Sequence, residues 1–470
     1  MADTRQLALL GIAVFVPLSL LVTNRHKLLL AWVCITMSVH VFDTTVFTNL
    51  AAPRVVGLLY LPIWIGRLPA WLRLLPVRAH VTNMVYILFL AVIFGYMLPW
   101  PDTTGSRPFS LTAPGRAMVY PVRMIADFSL AVFIAGQLGK PSMLRFAVGM
   151  IIAGATISAS FALVWLFVPQ LDAYYSITGL RPLGGISLVR ARGLSYEPRG
   201  LGMACAFGIS FLLALPGRMS SRRAFALIAN LVAFLAAFSS SAIALLGAGL
   251  GTAWLVGHGR ARLRLVGAIL LLLGAAVVGV LAFPSRSDVA VATIGAHFDG
   301  SRLGGARPGG LVERVAYALD SFDASTLLFL ADNPQYAVVG TGPAMVMLPA
   351  TEYLPPGLFS AMYGADGING LPTHGLLLEI ANSGIVGLLT WMVQAVACWA
   401  ALSAMTRGLL GQPGSNDWEL GRLVYAISVG FYLIQVSITS PYWSFTLGVG
   451  WAAAAAVAWR AKATAIWVSG

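Results

Sequence analysis

Long apolar runs fill most of the chain and constrain its fold more than any other feature. Twelve of them lack strong breaks: residues 7–22, 28–47, 82–99, 117–138, 146–168, 201–215, 224–238, 242–256, 265–283, 385–402, 420–439 and 445–459. Apolar residues make up 58% of the 470 residues and charged residues only 10%, whereas a soluble domain has about 25% charged residues. Because about 20 apolar residues span a bilayer as a helix, we expect an all-α polytopic membrane protein with 12–13 transmembrane helices.

The thirteenth run, at residues 55–75, is short and interrupted by Pro62, Arg67 and Pro69. Such a run is compatible with a crossing, a re-entrant piece or an interfacial helix. The side of the membrane on which the N-terminus lies depends on this run, so the sequence leaves that side open.

The short connectors between the runs are basic and set the orientation. Their basic residues are Arg25, Lys27, Lys140, Arg145, Arg218, Arg222, Arg223, Arg260, Arg262, Arg264, Arg407, Arg422, Arg460 and Lys462. By the positive-inside rule these connectors face the cytoplasm. The net charge of +13 therefore reflects topology and contact with anionic lipid, and does not indicate nucleic-acid binding.

This orientation divides the chain into three parts. Residues 1–283 form an N-terminal transmembrane bundle of about ten spans, with an outward loop at 169–199. Residues 284–384 form a large outward loop with amphipathic helices and a re-entrant end, and residues 385–470 form the C-terminal transmembrane helices. Long polar segments are not needed merely to connect spans, so we expect the chemistry in the outward segments.

The first informative outward stretch is residues 190–202, which contain Arg190, Arg192, Glu197 and Arg199. Arginine is suited to phosphate or pyrophosphate because its planar fork of donors keeps its charge; the alternative is that these arginines extend towards lipid headgroups. Glu197 is a candidate base, but an ion pair with a neighbouring arginine is favoured, since a carboxylate among arginines is a poor base.

The large loop contains two further patterns. Apolar residues recur at helical spacing over residues 311–330, with Arg314 off the apolar face, which is typical of an amphipathic helix. On spacing alone, a solvated Arg314 is favoured. Residues 338–343 (VVGTGP) form a turn, and the absence of a following GK[ST] excludes a nucleotide-binding loop.

The third stretch, residues 372–387 (PTHGLLLEIANSGIVG), places His374 just before an apolar helix that has a break at Ser383 and Gly384. A break at membrane depth is tolerated only where the backbone lines protein or water. A histidine at a helix start is more often a cap or a structural residue than a catalytic one.

Four charged residues lie in or beside the spans: Asp43, Arg123, Asp127 and Glu379. Charges there require a partner or a water-filled cavity. Arg123 and Asp127 are four residues apart on one helix, so we expect them to pair. No cluster of His, Cys and carboxylates has metal-ligand spacing, which predicts a site with no metal and no cofactor.

In this order, the stretches resemble the O-antigen ligase and Wzy polysaccharide polymerase superfamily. The resemblance rests on Arg190, Gly193 and Pro198, on Arg314, on Gly340 and Gly342, on His374, Leu378, Gly384 and Gly387, and on the serine-rich residues 238–247. It covers roughly residues 117–459 in topology. The sequence departs from the family at Gly375, where Asn often follows the histidine.

The resemblance implies a GT-C-like, metal-independent and inverting glycosyltransferase of the bacterial inner membrane, multi-pass, with its active site facing the periplasm. Its donor would be an undecaprenyl-pyrophosphate-linked glycan and its acceptor a glycan or a lipid. Such transfer needs positive charge for the leaving group and an acceptor hydroxyl held in line. Arg190 and Arg314, followed by Arg192 and then Arg199, are the candidates for the pyrophosphate, and His374 for the acceptor hydroxyl.

Three alternatives remain open. A polymerase and a ligase differ only in acceptor, which is a second lipid-linked glycan for the polymerase and lipid A core for the ligase. The Glu197-Pro198 pair favours the polymerase. A polymerase would work beside a flippase and a chain-length regulator. A secondary transporter also fits intramembrane charges and glycine-rich helices, but the sequence has no obvious internal repeat.

The orientation predicts that a cysteine replacing Ser301 reacts with a thiol reagent added to the outward side of sealed cells or vesicles. Reaction only with reagent on the cytoplasmic side would reverse the orientation and remove the basis for outward chemistry.

Overall fold

A computed structural model of the protein describes most of the chain. The described residues are 4–42, 51–98, 112–138, 141–168, 178–183, 186–195, 197–215, 217, 219–237, 239–256, 266–267, 274, 321–354, 372, 374–406, 416–434 and 441–468. Statements about the structure below refer to these residues.

The fold is mostly helical, with one small sheet. The helices are α1 Thr4–Val22, α2 His26–Thr36, α3 Ala52–Ile65, α4 Leu68–Trp71, α5 Leu75–Val92, α6 Ala113–Leu138, α7 Pro141–Phe167, α8 Pro198–Ala214, α9 Ser221–Ala237, α10 Ser240–Val256, α11 Ser321–Asp332, α12 Pro334–Val339, α13 Met347–Ala350, α14 Gly375–Thr406, α15 Asn416–Ile434 and α16 Pro441–Val468. Short 3₁₀ segments lie at His40–Phe42 and Thr351–Tyr353, and a π-helical turn, Ile93–Met97, continues α5.

Four helical segments are long and apolar enough to cross a membrane: Leu75–Met97, Ala113–Leu138, Ser142–Trp165 and Gly375–Ala397. Every predicted apolar run contains a helix except 265–283, which falls almost wholly outside the described residues. The fold therefore fits a helical membrane protein, as predicted, while the count of 12–13 crossings stays a prediction.

The sheet is a small hairpin within the outward loop predicted at 169–199. Strands β1 Thr178–Leu183 and β2 Ile186–Ala191 pair antiparallel, with Thr178 opposite Ala191 and Leu183 opposite Ile186. Two glycines, residues 184 and 185, separate the strands in sequence, and a two-residue Gly-Gly link is a hairpin signal. The signal is present in the sequence, but no hairpin was predicted from it.

The interrupted run at 55–75 becomes two different helices. Helix α3 is largely buried and packs along α6, where a side chain on Gly57 would clash with the Ala126 backbone and the Tyr60 and Phe133 rings lie 5.1 Å apart. Helix α3 thus packs inside the protein, and the choice between a crossing, a re-entrant piece and an interfacial helix stays a prediction. The short α4 contains no buried residue, in keeping with an interfacial position.

A buried ion pair joins α3 to α6. The Arg54 guanidinium donates to both carboxylate oxygens of Asp127, with N–O distances of 2.9 and 3.0 Å, and the Ser444 hydroxyl of α16 donates to the same carboxylate at 3.2 Å. The structure thus gives Asp127 a partner other than the predicted Arg123, whose guanidinium lies 5.1 Å from the centre of the Tyr120 ring. Arg54 was not predicted as the partner of Asp127 because α3 is far from Asp127 in sequence.

Loss of this pair should destabilise the bundle. Asp127→Ala leaves the Arg54 charge buried without its carboxylate, which costs about 3–5 kcal/mol in the free energy of unfolding. Glu197→Ala is the matched control, because Glu197 belongs to a partly exposed pair with Arg199 and such pairs contribute about 1 kcal/mol or less. Denaturant titration in mixed micelles measures both; equal effects would contradict the role of the buried pair.

Candidate functional site

The first predicted motif folds as a loop at the end of the β-hairpin. Arg190 is half-buried, and its Nε donates to the Ala237 carbonyl of α9 at 2.9 Å. Gly193 has a φ of +55°, and a side chain there would overlap the Ser158 carbonyl of α7. The glycine of the Arg-x-x-Gly element is therefore required by both its conformation and its close approach to α7.

Hydroxyl groups hold this loop against two other segments, one of which bonds in turn to α16. The Leu194 amide donates to Ser158 Oγ at 3.1 Å, and Ser195 Oγ donates to the Ser38 carbonyl at 3.3 Å. Ser38 Oγ lies 2.5 Å from the Tyr442 hydroxyl, in the first turn of α16. We call residues 190–195 with Ser38, Ser158 and Tyr442 the hairpin group.

Glu197 and Arg199 follow the hairpin group at the start of α8. The Arg199 guanidinium donates to Glu197 Oε1 at 2.9 Å, and the two side chains are 30% and 45% exposed. This contact is the ion pair with a neighbouring arginine that the sequence favours over a role of Glu197 as a base. Arg192 is half-buried within the loop, so the three predicted arginines of this stretch lie on one short segment.

The second and third motifs come together. The amides of Thr341 and Gly342 donate to the Ala381 and Asn382 carbonyls of α14 at 2.8 and 3.1 Å. In return, Asn382 Oδ1 accepts from the Ala344 amide at 2.8 Å. We call residues 340–344 with residues 381–384 the kink unit.

The kink unit contains the predicted break of α14. Ser383 and Gly384 have non-helical conformations, with φ values of −140° and +57°, so the predicted break is confirmed. A side chain on Gly384 would overlap the Val338 carbonyl, and one on Gly340, with a φ of +92°, would lie 2.6 Å from the Asn382 carbonyl. These motif glycines allow two backbone segments to touch.

Arg116 connects the kink unit to α6. It is 1% exposed, and its guanidinium donates to the Ala344 carbonyl. Arg116 was not singled out from the sequence, where it directly precedes the apolar run 117–138.

His374 immediately precedes α14 and is half-buried. Its backbone amide donates to Asp323 Oδ1 of α11 at 3.0 Å, and its carbonyl accepts from the Leu378 amide at 3.0 Å. The Asp323 carboxylate, 3% exposed, therefore fixes the helix start that carries the histidine. Asp323 was not singled out from the sequence, where it lies on the predicted amphipathic segment without a distinctive neighbour.

Two predicted positions, Arg314 and Asp43, lie outside the described residues. The helix predicted at 311–330 is described from Ser321 onward. Within the described ranges, no three His, Cys, Asp or Glu side chains are grouped so as to hold a metal ion; the prediction of a metal-independent site stays a prediction.

The two groups are linked through the start of α16 and through α6. Tyr442 bonds to Ser38 within the hairpin group, and Ser444, two residues further on in the same turn, bonds to Asp127 of α6. Arg116, nearer the start of α6, bonds to the kink unit. The arginine motif, the glycine turn and the histidine helix thus belong to one connected framework.

Comparisons with known proteins add no assignment. No protein-family model matches the chain, and no curated protein matches it significantly.

The kink unit predicts a specific sensitivity to substitution. Gly340→Ala should destabilise the protein by at least about 1–3 kcal/mol, the cost of a strained backbone conformation, because the added methyl group also meets Asn382. Gly136→Ala is the control: nothing lies within 4 Å of a side chain at Gly136 in α6, so stability should hold or rise slightly. Thermal unfolding in detergent measures the difference, and equal melting temperatures would refute it.

Proposed function

We propose that the protein is a membrane glycosyltransferase that polymerises polyprenyl-pyrophosphate-linked oligosaccharide units on the periplasmic face of the inner membrane. The observation that carries the proposal is the way the ordered motifs fold. The Arg-x-x-Gly element, the Gly-x-Gly turn and the histidine helix occupy one framework, and Gly193, Gly340 and Gly384 lie where a side chain would clash. Contacts between segments that are far apart in sequence thus explain the positions of these motif residues.

The donor side of the reaction needs positive charge. The glycosyl bond to the pyrophosphate breaks, and the leaving polyprenyl pyrophosphate departs as a stable anion that needs no general acid but does need cationic donors. Arg190 and Arg314, followed by Arg192 and more weakly by Arg199, supply them in the proposal. The bond from Arg190 Nε to Ala237 supports this role because it fixes the plane of the guanidinium fork.

The acceptor side needs a hydroxyl held in line with the breaking bond. The acceptor oxygen forms a bond to the anomeric carbon from the face opposite the leaving group, so the configuration inverts, and the hydroxyl proton passes to His374. Attachment of the His374 backbone to Asp323 supports a fixed position for this imidazole. The ion pair with Arg199 makes Glu197 the weaker candidate for base.

The acceptor we propose is a second lipid-linked glycan, which makes the enzyme a polymerase with a GT-C-like bundle. A flippase and a chain-length regulator would then act with it. A ligase using lipid A core is the alternative, and it would use the same donor site with a different acceptor.

A secondary transporter is the competing class, and two observations favour it. The broken helix α14 and the buried Arg54–Asp127 pair are features that transporters also use. Proteoliposomes separate the classes: a transporter moves solute without glycan transfer, whereas a transferase consumes lipid-linked donor in detergent, where no gradient exists.

Two substitutions test the assigned roles. Arg190→Lys keeps the charge but loses the two-pronged geometry, so donor affinity and turnover should both fall substantially. Arg78→Lys is the control, since Arg78 is exposed at the start of α5 and should leave activity unchanged. His374→Ala should lower turnover by about 10²–10⁴ and leave donor binding intact.

The measurements are donor affinity and single-turnover rate with purified protein in detergent. A donor affinity that falls with His374→Ala and holds with Arg190→Lys would exchange the two roles. Wild-type rates in both variants would show that Arg190 and His374 have a structural role only.

A further inference from the structure

Asn83 of α5 and Glu379 of α14 form a buried polar contact that the proposed reaction does not use. Asn83 Nδ2 donates to Glu379 Oε2 at 2.9 Å, and the two residues are 0% and 6% exposed. The contact joins two segments that are each long and apolar enough to cross the membrane.

The surroundings of Glu379 hold it closely. The Glu379 carbonyl accepts from Ser383 Oγ at 3.2 Å, and a side chain on Gly387 would overlap the same carbonyl. The carboxyl group therefore lies one turn before the break of α14, in a tightly packed part of the bundle.

Among the described residues, Asn83 is the side chain that bonds the Glu379 carboxyl, and Glu379 forms no ion pair there. Titratable and charged groups on neighbouring elements have other partners or contacts. His80 of α5 packs against the Phe128, Trp443 and Trp451 rings, Tyr86 donates to the Val339 carbonyl, Arg116 of α6 donates to the Ala344 carbonyl, and Asp323 of α11 accepts from the His374 amide.

An ionised Glu379 does not fit this environment. A buried carboxylate needs a cation or several donors, and its burial otherwise costs several kcal/mol; a carboxyl group so placed takes up a proton instead. One neutral amide donor does not compensate the charge.

Asn83 supplies the second, independent observation. Its Oδ1 is fully buried and has no hydrogen-bond partner among the described residues. A buried acceptor without a donor destabilises the folded state. The Asn83 amide already touches the Glu379 carboxyl through Nδ2, so a carboxyl proton is the donor best placed to satisfy Oδ1 through the same contact.

We infer that Asn83 and Glu379 form a proton-binding site, in which Glu379 is a neutral carboxylic acid paired with the Asn83 amide. Asn83 Nδ2 donates to one carboxyl oxygen, and the protonated oxygen of Glu379 donates to Asn83 Oδ1, closing a cyclic pair. If the Asn83 amide were rotated by 180°, its Oδ1 would face Glu379 Oε2. Both oxygens are acceptors unless the carboxyl group is protonated, so the rotated arrangement also requires the carboxyl proton. The inference does not rest on the proposed function.

The test is infrared difference spectroscopy of the purified full-length protein at neutral pH, comparing wild type with Glu379→Gln. The account expects the carbonyl band of one protonated carboxyl group per chain in wild type, absent from Glu379→Gln and shifted in ²H₂O. A difference spectrum with carboxylate bands alone would overturn it.

Two further variants complete the test. Glutamine has the shape of the protonated acid and offers the same donor and acceptor, so Glu379→Gln should keep the wild-type melting temperature; a large loss of stability would contradict a neutral Glu379. Asn83→Ala should move the carboxyl band to higher frequency because the carbonyl loses its hydrogen bond. A band that stays in place would show that Asn83 is not the partner.

Discussion

The bilayer core offers no water to hydrogen-bond the backbone, and the arrangement of this protein depends on that constraint. Helix α14 breaks at Ser383 and Gly384, within a segment long and apolar enough to cross the membrane. The carbonyls just before the break accept the Thr341 and Gly342 amides. The Gly-x-Gly turn thus supplies the hydrogen-bond donors that the carbonyls before the break require.

The charged side chains buried along α6 need partners, and this need is a second constraint on the arrangement of the helices. Near its start Arg116 bonds to the kink unit, and further along Asp127 pairs with Arg54 and Ser444. Because an uncompensated charge in this environment is costly, these contacts fix α3, α6, α16 and the glycine turn relative to each other. Fixed geometry of this kind is what transfer between two bound substrates requires.

The sequence predicts those features that depend on nearby residues. The apolar runs, the break at Ser383 and the ion pair of Glu197 each arise within a few positions, and the structure contains them. Partners from distant segments were not predicted: Arg54 lies 73 residues from Asp127, and Asp323 lies 51 residues from His374. Spacing along a helix suggested Arg123 for Asp127, because helical periodicity reports only on residues of the same helix.

Transfer of glycan from a lipid pyrophosphate can be measured by incubating purified protein with a lipid-linked repeat unit, with and without lipid A core. We expect lipid-linked products longer by whole repeat units in the absence of lipid A core. Transfer only onto lipid A core would contradict the polymerase and favour the ligase. Unchanged donor in both reactions, with protein whose folding has been verified, would contradict the glycosyltransferase itself.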